Sequence, residues 1–172
     1  MPASSSSAVS QKTLREFRTG GQTGVDLGSA EAAIKSNFRY GGFVHRLRIN
    51  ERGPIERRYS AFVAMKVGGY PARTKKNVET SDATLVLVTG KVEGGTKLTV
   101  EHANACAKPC LVVNLDAQDE DTAVQMIVQW IAEQKIAILN VAGPRESTYS
   151  GIQARAEAML TKLIALARSD EQ

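Results

Sequence analysis

The sequence has little of what most function classes require. It holds two histidines and two cysteines in 172 residues. His45 and His102 stand alone, with no third residue to complete a hydrolytic triad or a metal-binding set. Cys106 and Cys110 lie in an apolar stretch without a second pair of ligands, which argues against zinc. A disulfide between them stays open, while buried thiols in a reducing cytoplasm are the simpler expectation. No apolar run reaches the ~18 residues that a membrane-spanning helix needs, so no membrane partner is expected. The net charge of +4 suits an anionic ligand but is not a nucleic-acid footprint. Locally the balance shifts: Arg39, Arg46, Arg48, Arg52, Arg57 and Arg58 fall close together, with Tyr40 and Tyr59 beside two of them. Glu51 and Glu56 dilute this segment, so it reads as a solvated or anion-facing loop and no nucleic acid is expected.

An apolar fraction of 42% and a charged fraction of 23% belong to a soluble globular chain. The length fits one domain. Residues 1–12, rich in Ser and Ala, have no apolar core of a secretory signal. They are expected to form a disordered tail before a single domain over 13–168, in a cytoplasmic protein. Along that domain strands and helices alternate. Leu14 to Thr19 is polar for a strand, but a glycine-rich turn and the helical stretch Val25 to Lys35 follow it. Short strands are expected near Val44 and Phe62. Tyr70-Pro71 opens a helix, with Pro71 at the first helical position. Ala83 to Thr89 is a nearly unbroken apolar run, as expected of a strand covered on both faces. A helix from about Thr96 to Ala107 and a strand from Cys110 to Leu115 come next. Asp119 or Asp121 caps a helix running to Gln134, with Val124, Ile127, Val128 and Ile131 on one stripe and Trp130 beside it. Ile136 to Val141 is a strand, and Gly151 to Arg168 a helix. This alternation predicts an α/β, Rossmann-like three-layer sandwich with a mainly parallel, doubly wound sheet.

In such a sheet, ligands bind outside the carboxyl ends of the strands. Three unusual loops follow predicted strands: Gly20-Gly21-Gln22-Thr23-Gly24, Glu93-Gly94-Gly95-Thr96 and Ala142-Gly143-Pro144-Arg145. In the first, glycines let the backbone approach a ligand closely, the next helix offers amides and a positive dipole end, and Thr23 adds a hydroxyl. Taken alone, it serves equally well as a tight turn with Asp26 capping the helix. The second loop adds Gly94, Gly95 and the hydroxyls of Thr96 and Thr99, either of which also suits a helix cap. Glu101, in the first turns of that helix, is favoured by the dipole, and could also contact a ribose or exchange a proton. Arg145 could clamp a phosphate bidentately, or form a surface ion pair with Glu146 or another acid. Arg73 lies early in its helix, where the dipole does not favour a cation, and a ligand would account for it. These residues are the candidate binding set for an anionic small molecule.

The same stretches resemble a known family. Gly20 to Asp26, Gly53-Pro54-Ile55, Arg73 to Val78, Ser81 to Leu85, Gly94-Gly95-Thr96, Leu98 to Glu101 and Leu139 to Ser147 stand in the order seen in the molybdenum carrier (molybdenum-cofactor carrier protein-like) family. The match spans about Thr13 to Leu160. The resemblance implies a Rossmann-like fold, homo-oligomeric assembly and a phosphate-bearing ligand, either the molybdenum cofactor or a related nucleotide. The sequence departs from the family at Leu27, where an Arg is common, and in Phe43 to Arg52. A more distant resemblance is to the lysine-decarboxylase-like phosphoribohydrolases, through Arg73, Ser81-Asp82-Ala83, Gly94-Gly95 and Glu101. It implies cleavage of an N-glycosidic bond of a nucleoside monophosphate, with Arg73 and Glu101 catalytic. Lys97 and Leu98 replace the third Gly and the Thr of that motif.

Overall fold

A computed structural model of the chain describes residues 14–169. The tail expected over residues 1–12 lies outside the described residues. The rest alternates as β1 (Glu16–Arg18), α1 (Val25–Lys35), β2 (Arg39–Val44), β3 (Ile49–Asn50), β4 (Gly53–Pro54), β5 (Phe62–Ala64), α2 (Tyr70–Glu79), β6 (Ala83–Val88), α3 (Gly94–Ala105), β7 (Cys110–Asn114), α4 (Glu120–Gln134), β8 (Ile138–Ala142) and α5 (Ile152–Ser169).

Six strands form one sheet in the order β5-β2-β1-β8-β6-β7, and every neighbouring pair is parallel. β3 and β4 form a separate antiparallel ribbon. Three-layer packing explains the apolar character of β6. All six of its residues are buried. Ala83, Leu85 and Leu87 face the core shared with α1, α4 and α5, while alternation turns Thr84, Val86 and Val88 to the other face. β8 behaves alike: Leu139 and Val141 enter that core, and Asn140 points away, donating to Thr84 Oγ1 at 3.2 Å.

β1 holds its place in spite of its charges. Phe17 is fully buried, while Glu16 pairs with Arg18 at 3.1 Å and Arg39 at 3.5 Å on the opposite side. α4 is capped by Asp119, whose side chain accepts from the Thr122 amide at 2.9 Å. Its stripe packs inward through Val124, Ile127 and Ile131, and Trp130 lies partly buried against the same core. Ile152, Met159, Leu160, Leu163 and Ile164 of α5 are all buried as expected. Two expectations change. α3 begins at Gly94, so both glycines stand in its first turn instead of in the preceding loop. Cys106 and Cys110 are free and half-buried, with the Cys106 sulfur 3.5 Å from His102 Nε2.

From β2 to β5 the chain crosses without a helix. The β3–β4 ribbon and the turns after it cover that edge, with Ile55, Tyr59 and Phe62 packed on Val44 and on Leu27 and Ala30 of α1. Arg48 braces this region by donating to the Phe62 and Tyr59 carbonyls at 2.8 and 3.2 Å. Arg58 reaches Glu31, Glu56 and the Tyr59 hydroxyl. Two of the clustered arginines are therefore spent on the fold itself.

Candidate functional site

The three unusual loops follow β1, β6 and β8, which are adjacent at the centre of the sheet. Because the strands are parallel, all three loops emerge on one edge. They enclose a cleft of about 610 Å³, whose lining includes Gln22, Asp26, Tyr70, Arg73, Gly94, Gly95, Thr96, Thr99 and Arg145. That volume is within the range of small-molecule sites, roughly 300–1,000 Å³.

The Arg73 guanidinium lies directly on Gly20: a Cβ on that glycine would stand 1.6 Å from Arg73 Nη1. Arg73 Nη1 is 3.4 Å from Asp26 Oδ2, and the same carboxylate accepts from the Gln22 amide at 3.1 Å. Asp26 is thus part of the cleft wall, and it does not cap α1: the N-cap is Gly24, with no side-chain cap hydrogen bond. Burial pushes its carboxyl above the ordinary value, against the pull of Arg73 and the Gln22 amide. At the cleft, the Tyr70 ring is near two cations, with the guanidinium of Arg73 5.7 Å and that of Arg145 5.6 Å from its centroid. His45 lies against the same ring at 4.9 Å, tilted by 40°.

Two buried donors at the cleft have no partner among the described residues: Gln22 Nε2 and Arg73 Nε. Leaving such groups unpaired costs about 1–3 kcal/mol each. The Gln22 side chain is oriented by its other end, since its Oε1 accepts from the amides of Thr23 and Glu51 at 3.1 and 3.0 Å. α2 and α3 both begin at the cleft with no side-chain cap and no acidic residue in the first turn. Around Gly94 and Gly95 a Cβ would meet nothing within 4 Å, so the space above these glycines is open. The two helix starts, Arg73, Lys91 and Arg145 bring positive charge to the cleft, against Asp26 and Glu93.

The remaining predicted residues have other tasks. Gly21 (φ +71°) turns into the core, where a Cβ would meet Val44 at 2.7 Å. Gly24 (φ +80°) admits the Pro144 carbonyl, 2.2 Å from where its Cβ would be. Thr23 donates its hydroxyl to Glu51 and accepts from the Glu146 amide at 3.2 Å. Glu51 also takes the hydroxyl and amide of Ser147, and stands 4.0 Å from Arg145. Burial opposes its charge, but the donors on Ser147 and Thr23 outweigh this and hold its carboxyl below the ordinary value. One carboxylate on the β3–β4 ribbon therefore ties the first loop to the third. Arg145 does not pair with Glu146, whose carboxylate receives the amides of Gly151 and Gln153 at the start of α5. Thr99 donates to the Gly95 carbonyl at 2.9 Å.

Glu101 is on the solvent side of α3, 61% exposed and 3.8 Å from Lys97, and does not line the cleft. Ser81 and Asp82 build the joint into β6: Ser81 donates to the Asn77 carbonyl at 2.8 Å, and Asp82 accepts from the amides of Ala137 and Ile138. Sequence reasoning missed Asp26 as a wall residue, Tyr70 as the ring beside both arginines, and Glu51 as the tie. Their only sequence signals are a carboxylate beside the glycine loop and an aromatic two residues before Ala72-Arg73. Among the described residues, no group of three or more His, Cys, Asp or Glu could hold a metal ion. No helix among them is long and apolar enough to cross a membrane.

Residues 17–164 match the model of the circularly permutated YpsA SLOG family. The structure is similar to the crystal structure of the "Putative molybdenum carrier protein" of Syntrophus aciditrophicus SB, with a TM-score of 0.85 and 34% sequence identity over 88% of this chain and 96% of that one. No curated protein matches the chain. By the family model, and by its likeness to that carrier protein across nearly the whole fold, the chain belongs to the circularly permutated YpsA SLOG family.

Proposed function

We propose that this protein binds a phosphate-bearing small molecule, a pterin cofactor such as the molybdenum cofactor or a nucleotide-type anion, in the cleft at the carboxyl edge of its sheet. The observation that carries the reading is the unpaired donor set: Gln22 Nε2 and Arg73 Nε are buried at the cleft with no partner among the described residues, beside Arg145 and two uncapped helix starts. An anion at this wall gives Arg145 and the two helix starts an acceptor and draws the guanidinium of Arg73 toward it. The described residues fit such a ligand through its phosphate and its planar ring, with Tyr70 offering a face, and not through a metal-ligand set. The name of the Syntrophus protein agrees with molybdenum cargo. We assign Gln22, Arg73, Gly94, Gly95, Thr96, Thr99 and Arg145 to ligand contact, and Gly20, Gly21, Thr23 and Gly24 to shaping the loop and seating Arg73. A homo-oligomer in the cytoplasm is the assembly we expect.

Isothermal titration with the molybdenum cofactor, molybdate and nucleoside monophosphates tests the proposal. One phosphate-bearing compound should bind a folded sample with a defined stoichiometry. Absence of binding by all of them would refute it. Phosphoribohydrolase activity has less support, because Arg73 is at the cleft while Glu101 is exposed on the other side of α3. Release of free base from a nucleoside monophosphate, abolished by Glu101→Gln, would establish it instead.

A further inference from the structure

Of the two carboxylates among the described residues that line the cleft, Glu93 is exposed and Asp26 is buried, with its side chain 6% exposed. Arg73, reaching in from α2, is the cation beside Asp26, at 3.4 Å. The first loop supplies its other surroundings. The Gln22 amide donates to it at 3.1 Å, and the bare Gly20 backbone lies against it. The Thr19 hydroxyl, just past the end of β1, is fully buried beside the same carboxyl and completes no hydrogen bond among the described residues. The remaining charged groups of the cleft, Lys91, Glu93 and Arg145, come from the second and third loops. His45 reaches the cleft through the Tyr70 ring.

A carboxylate so placed depends on Arg73 to stay charged. Burial pushes its carboxyl up, and Arg73 with the loop donors pulls it down. An anion in the cleft competes for the same guanidinium. If the guanidinium turns to the anion, Asp26 loses its counter-ion. If it stays, one cation is shared by two negative groups. A proton on Asp26 removes the conflict in both cases. The acid no longer competes for Arg73, and its O–H has an acceptor in the Thr19 hydroxyl beside it. Its oxygen still accepts from the Gln22 amide. A hydroxyl serves both states of such a group, donating to the carboxylate and accepting from the acid.

We infer that anion binding in the cleft is coupled to the uptake of a proton by Asp26, so that the protein holds its ligand at lower pH and releases it as pH rises. Asp26 is here a positioning residue: it acts through Arg73 and needs no contact with the ligand. This rests on the anion reading of the cleft and adds how binding there is regulated. The complex binds more protons than the free protein, so affinity falls as pH rises. The fall begins at the Asp26 value of the free protein, which burial places above the ordinary 3.8, and ends at the higher value in the complex.

The test uses inorganic sulfate, an oxyanion with no titrating proton of its own between about pH 4 and 8. Calorimetric titration of the full chain in buffers of different ionisation enthalpy counts the protons taken up per sulfate bound. The wild type should take up a measurable fraction of one proton, and its affinity should fall by up to about tenfold per pH unit within the linked range. Asp26→Asn, which resembles the protonated acid, should bind without proton uptake, with a flat pH profile, and more tightly than the wild type at the upper end of the range. If that variant does not fold, Thr19→Val, which removes the acceptor for the acid, is read in its place and should lower the uptake. A wild type that binds sulfate without taking up a proton would overturn the coupling and leave the anion cleft standing. Uptake unchanged in the folded variant would do the same, and would give the proton to another group such as Glu93 or His45. If sulfate does not bind the wild type anywhere in this range, the anion reading fails and the coupling with it.

Discussion

Arg73 Nη1 stands 3.4 Å from Asp26 Oδ2, and the two side chains meet on the bare backbone of Gly20. The pair fixes one end of the guanidinium and leaves Nε buried with no partner among the described residues. Arg73 is thus positioned by the protein but not fully used by it. The missing side chain at position 20 is what permits this placement.

Gly20→Ala and Gly24→Ala should therefore act differently. At position 20 the new methyl meets the end of a flexible side chain, so the guanidinium swings away. Anion affinity should fall about tenfold, the loss of roughly one charge-assisted hydrogen bond, with little change in stability. At position 24 the methyl meets the Pro144 carbonyl on a backbone with φ +80°. A stability loss of about 2–5 kcal/mol is expected there from strain and overpacking combined. Urea unfolding and ligand titration on both variants separate the two effects.

The buried Asp26 carboxyl makes a prediction about pH. Its pKa in the folded state is raised above the ordinary 3.8 by burial. An acid raised in this way contributes stability that is fully present below its unfolded pKa and is lost as pH rises through the folded one. Glu51 and Glu31 are shifted downward, so their contribution is present above their ordinary value and lost on acidification. Wild type minus Asp26→Asn isolates the first effect. That stability difference should shrink as pH rises from about 4 through the raised value, and then level off. Urea midpoints across this range check it, and a difference that grows with pH would contradict the assignment.

Glu51 ties the first and third loops by accepting from Thr23 and from both donors of Ser147. Glu51→Gln keeps the shape but replaces one carboxylate oxygen with an amide that cannot accept. We expect a loss of about 1–3 kcal/mol in stability, the usual worth of a hydrogen bond to a charged group. Anion affinity should also weaken, because Arg145 loses its anchor 4.0 Å away. Glu56→Gln, at an exposed carboxylate elsewhere on the same segment, should alter neither and serves as the control.

The fold was legible wherever a residue pattern has one physical solution. The unbroken apolar run of β6 requires cover on both faces, and the stripe of α4 with Asp119 ahead of it requires a capped amphipathic helix. The shared edge of the three loops followed from alternation alone, because parallel strands leave no other arrangement. The β3–β4 ribbon was not legible: its strands are two residues long, too short to show a period. Asp26 and Glu51 were obscure for another reason. A carboxylate at a helix start or in a basic loop is already satisfied by local electrostatics, and only the three-dimensional return of Arg73 and Ser147 reveals their further partners. The family motifs marked Arg73 and Arg145 but could not show that both stand near one tyrosine ring.

The most direct test of the account is the affinity of Arg73→Ala and Arg145→Ala for whichever phosphate-bearing compound the wild type binds, measured by isothermal titration beside thermal unfolding. Each variant should fold and lose at least about tenfold in affinity, in keeping with the worth of a charge-assisted contact. Wild-type affinity in both folded variants would contradict it.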